Sequence, residues 1–310
     1  VPILIVTTAP EEQVTDALSP SPTTMPLDIV WRGADGSSWY LTDPSSQVRL
    51  LPGMRGLEAP EHDRWTSESP GLAGNRYRGS RALAREVYLP VYVRGASSTD
   101  WLAVRRAWDR SLSPDVEGVL DVLVAGQRRT LPCRWTRTEV GWDRDPLLAG
   151  KAVLGEYLEA SGAYWQGEAI LREWQADAVG ADFFLADGGV FWVTPSNTLG
   201  TAWLDNPGDV PAWPVWTITG PCDTASVGIG SAQIEVPFAL GAGEWLRIDT
   251  RPDSQTATDD TGADRVGDLG AVAFQRIAAG EGVDLALSAT GTGSGFSVGA
   301  ELVPLYRRAW

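Results

Sequence analysis

The sequence predicts a mainly β protein built as two domains. Three observations carry this. The 34 glycines and 21 prolines are spread along the chain, so turns are frequent and the segments between them short. Those segments alternate apolar and polar residues with the period of a half-buried strand, and one stretch alone has helical period. At 310 residues the chain can hold two cores of about 150 residues each.

Residues 1–26 read as a strand and a connector, Ser19-Pro20-Ser21-Pro22. Leu27 to Trp31 alternates and meets Ala34-Asp35-Gly36, an Asp-Gly hairpin signal answered by Trp39-Tyr40-Leu41. Val48 to Leu51 is stopped by Pro52-Gly53. Residues 52–82 break the pattern: Gly, Pro, Ser and Arg dominate, and Trp65 and Tyr77 stand isolated. A loop this long is rare in a compact domain unless it has a task. It is read as an arm reaching a neighbouring subunit, with Trp65, Arg76, Tyr77 and Arg78 as its contacts; a plain surface loop is the other reading.

Glu86 to Val93 is a strand. The one helix is expected over about residues 100–112. Ser98 or Thr99 can cap it, and Asp100 suits the positive end of its dipole. Trp101, Val104, Trp108 and Leu112 make an apolar stripe that packs on a sheet, and Pro114 prevents continuation. Gly118 to Val124, the turn Ala125-Gly126 and Arg128 to Trp135 form a hairpin. Tyr164 to Trp174 mixes apolar and polar residues on both faces, as an edge or interface strand would. Phe183-Phe184-Leu185 and Val190 to Val193 close this half.

Thr194 to Asn197 and Asp205 to Asp209 mark a linker and a domain entry, so the boundary is set between residues 195 and 196. Beyond it, strands are expected at Val215–Thr219, Ile234–Phe238, Glu244–Thr250, Ala271–Ile277, Val283–Ala289 and Phe296–Leu305. Their regular spacing is that of an antiparallel sandwich or jelly roll.

The formal net charge of -15 argues against a bulk electrostatic hold on nucleic acid or anionic lipid. No segment reaches the roughly 18 apolar residues of a membrane helix. Val1-Pro2-Ile3-Leu4-Ile5-Val6 is short and lacks a basic leader, so a secretory signal is not expected. With one histidine, His62, and two cysteines, Cys133 and Cys222, metal cages and His-based triads are hard to build. The two thiols lie in opposite halves and read as reduced.

There is no G-x-S-x-G, P-loop, H-E-x-x-H or C-x-x-C. Asp253, Asp259, Asp260, Asp264 and Asp268 form an acidic loop without the spacing of an EF-hand, and read as solvated. No catalytic residue, cofactor or metal is therefore expected. Trp203, Trp213 and Trp216 cluster near the second domain's entry. They read as packing or interface residues, with a carbohydrate site as the alternative.

The run Asn206-Pro207-Gly208-Asp209 followed by Trp213 to Gly220, the run Leu240 to Thr250, and Leu305-Tyr306-Arg307-Arg308-Ala309-Trp310 resemble the C-terminal domain of siphophage distal tail proteins. The shared features are an N-P-G-D entry, a strand ending in I-x-G, a G-E-x-L-x-I-D-T strand and an aromatic-basic end. The first half agrees more loosely, through the Asp35-Gly36 hairpin, the Pro52-Gly53 to Gly56-Leu57 segment, the arm, the strand from Arg85, the helix and the Leu120 to Trp135 hairpin. The resemblance spans roughly residues 27–310 and leaves residues 1–26 and much of 137–195 unmatched.

The resemblance implies a minor tail protein of the virion, at the tail tip or baseplate of a non-contractile phage and assembled in the host cytoplasm. Residues 1–195 would be a tube-like β-barrel that forms the ring, and residues 196–310 a galectin-like jelly roll. A homo-hexamer would join the tail tube protein to the tail-tip hub protein and meet the tape measure protein. Double-stranded DNA would pass through without specific binding, and no membrane insertion is implied. The family has no catalytic residues to carry over. A carbohydrate-binding host-recognition protein of the tail tip is the alternative function.

Overall fold

Alternation along short strands builds the first sheet. The structure, a computed structural model, describes residues 26–71, 73–142, 144–175 and 199–310. The strand and connector expected before Pro26, the strands at Phe183–Leu185 and Val190–Val193, and the linker at Thr194–Asn197 lie outside the described residues. The first ten strands are β1 (Leu27–Arg32), β2 (Ser38–Tyr40), β3 (Val48–Leu50), β4 (His62–Ser67), β5 (Arg76–Ala82), β6 (Arg85–Arg94), β7 (Gly118–Val124), β8 (Gln127–Val140), β9 (Lys151–Ala160) and β10 (Trp165–Gln166). Helix α1 (Ser98–Ser111) lies between β6 and β7, and the single turn α2 (Pro146–Ala149) precedes β9.

The sheet runs β2-β1-β7-β8-β9-β6-β3, antiparallel throughout. Leu41 ties its two ends together. Its N–H donates to the Ile29 carbonyl (2.8 Å) and its carbonyl accepts from the Leu50 N–H (2.8 Å). The sheet is thus nearly closed into a barrel, which leaves little open edge. Ile29 and Trp31 of β1, Val87 to Val93 at alternate positions of β6, Leu120 and Val122 of β7, and Leu154 and Leu158 of β9 fill its interior.

Helix α1 packs its stripe into this interior. Trp101, Val104, Trp108 and Ser111 are buried, and Trp108 meets Trp39 edge-on at 5.5 Å between ring centroids. The helix begins earlier than expected. Ser97, not Ser98 or Thr99, is the cap, and its Oγ accepts from the Asp100 N–H (3.1 Å). Asp100 in turn accepts from the N–H of Ala96, the residue before the cap (2.6 Å). Leu112 is the C-cap, and Ser111 takes the last place on the stripe.

Strand β9 places Glu156 inside the barrel, fully buried. Its carboxylate accepts from Trp108 Nε1 (3.0 Å), Trp135 Nε1 (3.2 Å) and the Thr138 hydroxyl. Trp135 and Thr138 are three residues apart, and plain alternation would turn one of them outward. A bulge between Trp135 and Arg137 shifts the register of β8 against β9, so both face Glu156. The bulge also carries β8 past the expected end at Trp135 to Val140.

The remaining strands are β11 (Ile170–Gln175), β12 (Trp203–Asp205), β13 (Val215–Thr219), β14 (Thr224–Ile229), β15 (Ala232–Val236), β16 (Trp245–Asp249), β17 (Thr256–Asp259), β18 (Gly282–Asp284), β19 (Ser288–Thr290), β20 (Ser297–Leu302) and β21 (Leu305–Tyr306). A five-stranded sheet, β11-β20-β13-β16-β17, packs against the pairs and triplet β12-β18 and β15-β14-β19. Trp174, Trp216, Ile218, Leu246, Ile248 and Val298 from the first sheet share one core with Leu204, Val227, Ile229, Ile234 and Val236 from the others. This is a β-sandwich, and the chain as a whole is mainly β.

The mixed stretch from Tyr164 to Trp174 is two strands, not one. β10 belongs to the barrel and β11 is the edge strand of the sandwich sheet. The break at residues 167–169 lets Trp165 enter the first core and Trp174 the second. Phe296 to Leu305 also divides, at Val303-Pro304, into β20 of the sandwich and β21 of the barrel. Ala271 to Ile277 makes isolated bridges at Val272 and Ile277 in place of the expected strand.

Candidate assembly surfaces

The arm is a two-stranded hairpin. β4 and β5 pair with each other and with no other described strand. Every residue of both strands is exposed or partly so, with Trp65 at 50% and Tyr77 at 61% of full exposure. The hairpin holds its shape locally. Arg81 pairs with Asp63 (3.2 Å) and lies 5.9 Å from the Trp65 ring, Arg78 Nε donates to Ser67 Oγ (2.9 Å), and the Tyr77 hydroxyl donates to Ser80 Oγ (2.9 Å). Exposed ion pairs of this kind contribute little stability. What the arm offers instead is two open strand edges and two unburied aromatic rings, the surface other proteins cover or blunt. Arg76 pairs with Ser67 near the tip.

The root of the arm is anchored deep in the fold. Leu83 N–H donates to the Glu61 carbonyl (2.9 Å). Arg85, 4% exposed, donates to the carbonyls of Gly56 (2.7 Å), Ala163 (2.8 Å), Arg307 (2.8 Å) and Glu58. Burial draws its guanidinium below the ordinary arginine range. The aromatic-basic segment after β20 closes on the same place. β21 pairs with β10, Ala309 N–H donates to the Leu57 carbonyl (2.9 Å), and Arg308 pairs with Glu58 (2.8 Å). Arg129 lies 3.7 Å from the Tyr306 ring and donates to the Arg308 carbonyl (2.9 Å).

The N-P-G-D entry completes this clasp. Buried Asn206 donates to the carbonyls of Val210 (3.0 Å), Ile277 (3.1 Å) and Ala278 (3.2 Å), and accepts from the Gly208 N–H (3.0 Å). Asp209 accepts from the Arg307 N–H (2.7 Å). A Cβ on Gly208 would lie 2.6 Å from the Leu305 carbonyl oxygen, so the close approach of β21 requires glycine here.

A second exposed apolar group lies beyond the barrel's β8–β9 end. Trp142 (62%), Leu148 (87%), Val140, Leu147 and Val153 are all open to solvent. Sequence reasoning missed it. Lys151 to Ala160 has no clean alternation and α2 is a single turn, so nothing located these residues relative to one another.

The three tryptophans near the sandwich entry do not form one platform. Trp216 is 1% exposed and sits in the sandwich core, where it offers no face to a ligand. Trp203 is half-exposed on β12, over Gly282 of β18. Trp213 is partly buried in a groove at the joint of the two folds. Trp216→Ala is expected to cost about 3–5 kcal/mol, the range for large buried aromatics; denaturant unfolding of the variant measures it.

His62, Asp259 and Asp268 have structural partners. His62 Nδ1 lies 2.9 Å from the Pro60 carbonyl oxygen. In the acidic loop Asp259 accepts from Thr261 N–H (3.0 Å) and Oγ1 (2.7 Å) and from Ala263 N–H (3.0 Å), while Arg265 pairs with Asp268 (2.6 Å). No group of three or more metal-ligating side chains occurs among the described residues. Cys133 and Cys222 are buried free thiols, and burial pushes both away from ionisation. No helix of the described residues is long and apolar enough to cross a membrane.

On the outer face of the barrel, Asp121 takes Arg128 (2.6 Å) and Arg32 (3.0 Å). Burial pushes its carboxyl up, but the hydrogen bonds from the two arginines outweigh this and hold it below the usual carboxylate range. A carboxyl lowered in the native state adds stability that is full above the unfolded value, about pH 4, and is lost as pH falls through the native value. Both arginines are half-exposed, so Asp121→Asn is expected to lose about 1 kcal/mol at neutral pH. The gap to the parent should close as pH falls below about 4, measured by urea unfolding across pH.

No family model and no curated protein matches the sequence. Solved structures do match. The Dit (gp 19.1) protein of SPP1, a paradigm of the hub adsorption apparatus in phages infecting Gram-positive bacteria, aligns with a TM-score of 0.61 at 12% identity, over 89% of this chain and 98% of that one. A chain of the phage P2 baseplate in its activated conformation with Ca aligns at 0.53 and 10% identity, over 90% and 98%. The same baseplate with Sr gives 0.51 and 10%, over 89% and 97%. Over about nine-tenths of its length the chain thus shares its fold with these phage hub and baseplate proteins.

Proposed function

We propose that this chain is a structural component of a phage tail, a distal tail protein whose copies close into a hexameric ring between the tail tube and the tail-tip hub. The observation that carries the reading is the fold match across both domains, which spans 98% of the SPP1 Dit chain. The arm supports it. A ring needs one interface repeated by a closing rotation, and a hairpin with two open edges is suited to reach the next subunit. On this reading the barrel, β1 to β10 with β21, forms the ring and the sandwich, β11 to β20, lies outside it, so the division falls before Ile170 and not at residue 195, with Trp65, Arg76, Tyr77 and Arg78 at the subunit contact. The excess of acids suits a conduit through which DNA passes without being gripped.

The test replaces residues 63–81 by Gly-Ser-Gly, keeping the Glu61–Leu83 hydrogen bond at the root. The parent is expected to give a mass near six chains by light scattering and annular particles by electron microscopy. The variant is expected to be monomeric with both folds intact, because no described residue of the arm belongs to either core. A variant that still forms rings removes the arm from the interface, and a parent that stays monomeric removes the ring.

A further inference from the structure

We propose that the groove at the joint of barrel and sandwich is a saccharide-binding site with Trp213 as its stacking platform. The groove encloses about 440 Å³, within the roughly 300–1,000 Å³ of small-molecule sites. Both folds build it. Gln166 stands opposite Leu305 in the β10–β21 pair, and both line the groove, while their neighbours Trp165 and Tyr306 turn to the barrel core. Val215 lines it from the outer face of β13, the face opposite to buried Trp216.

The floor is apolar, with Val210, Val215 and Leu305 beside the partly buried Trp213 ring. The rim is polar and open to solvent, and Asp253 lies within the electrostatic reach of Arg251. The side chains of Tyr164, Gln166, Asp253 and Arg276 make no hydrogen bond or ion pair with any described residue. Arg251 between them is fixed by Asp249, through Nε (3.0 Å) and Nη2 (2.5 Å).

This combination selects a class of ligand. A tryptophan face on an apolar floor takes the C–H face of a sugar ring. Free donors on Arg276, Gln166 and Tyr164, with free acceptors on Asp253, Gln166 and Tyr164, match hydroxyls, each of which donates and accepts. Rim charges of both signs suit a neutral ligand better than a nucleotide or an anionic lipid. A peptide added as a strand would need an open edge. Here β10 is paired with β8 and β21, and β13 with β16 and β20. Past Glu301, which lines both, the groove meets a second hollow of about 430 Å³ bearing Arg172, Thr217 and Arg247, room for a chain of sugars.

The site does not depend on the ring. The test probes an array of immobilised neutral oligosaccharides with the full chain, then titrates the best-retained glycan by calorimetry. Retention is expected, at least ten-fold weaker for Trp213→Ala and for Asp253→Asn and unchanged for Trp203→Ala. Asp253 and Arg276 are exposed and belong to neither core, so Asp253→Asn and Arg276→Gln keep the test decisive if Trp213→Ala fails to fold. No retained glycan overturns the proposal, and so does binding that survives both rim variants. Hydrogen-exchange protection of residues 162–166 and 210–215 on ring assembly without sugar would give the groove to a neighbouring subunit, and overturn it as well.

Discussion

Trp108→Ala is expected to lower the stability of the barrel by about 3–5 kcal/mol, a fall in Tm of roughly 10 °C or more. Trp108 is fully buried, packs edge-on against Trp39, and joins helix to sheet through its hydrogen bond to Glu156. Alanine removes the ring, leaves a cavity lined by a packed core, and takes one donor from a carboxylate that has no access to water. Trp108→Phe separates these effects. It keeps most of the volume and loses the N–H, so about 1–3 kcal/mol should remain. Calorimetry on both variants checks the pair. A loss under about 1 kcal/mol for alanine would mean that the helix is not anchored through this ring.

Arg85→Met is expected to cost about 3 kcal/mol or more, although it breaks no ion pair. The guanidinium, itself buried, is held by carbonyls of Gly56, Glu58, Ala163 and Arg307, and methionine leaves those part-buried acceptors without their donor. Arg85→Lys should rescue little, because an ammonium lacks the planar fork that reaches three separate segments. A second readout distinguishes anchoring from general destabilisation. Amide exchange should rise first at residues 55–61 and 305–309, while β6 to β9 stay protected. Uniform exchange across the barrel would show that Arg85 supports the core and not the root of the arm.

Strands that are short runs bounded by clear turn signals could be read directly. Val215 to Thr219 and Gly118 to Val124 lie where expected, and the helix was visible from its tryptophan stripe and Pro114. The arm was visible for the opposite reason, since its residues have no apolar face to bury. The central strand β9 escaped. Lys151 to Ala160 is rich in Ala, Leu and Glu, and the inward Glu156 spoils the pattern because its partners come from α1 and from beyond a bulge in β8. Trp203, Trp213 and Trp216 are near in sequence yet take three environments, because a turn of strand direction separates neighbours that composition groups together. The N-P-G-D and aromatic-basic motifs were legible as motifs. Their joint purpose was not, since Asp209 and Arg307 meet only after the sandwich between them has folded back.

That meeting has a consequence for biosynthesis. Arg85 and the carbonyl it holds at Arg307 are 222 residues apart. At roughly 5–20 residues per second a ribosome needs on the order of ten to forty seconds to bridge that gap. Throughout translation of the sandwich, the hairpin of a nascent copy protrudes from an unset base. The root of the hairpin is therefore set late, once the distant segment has been threaded home.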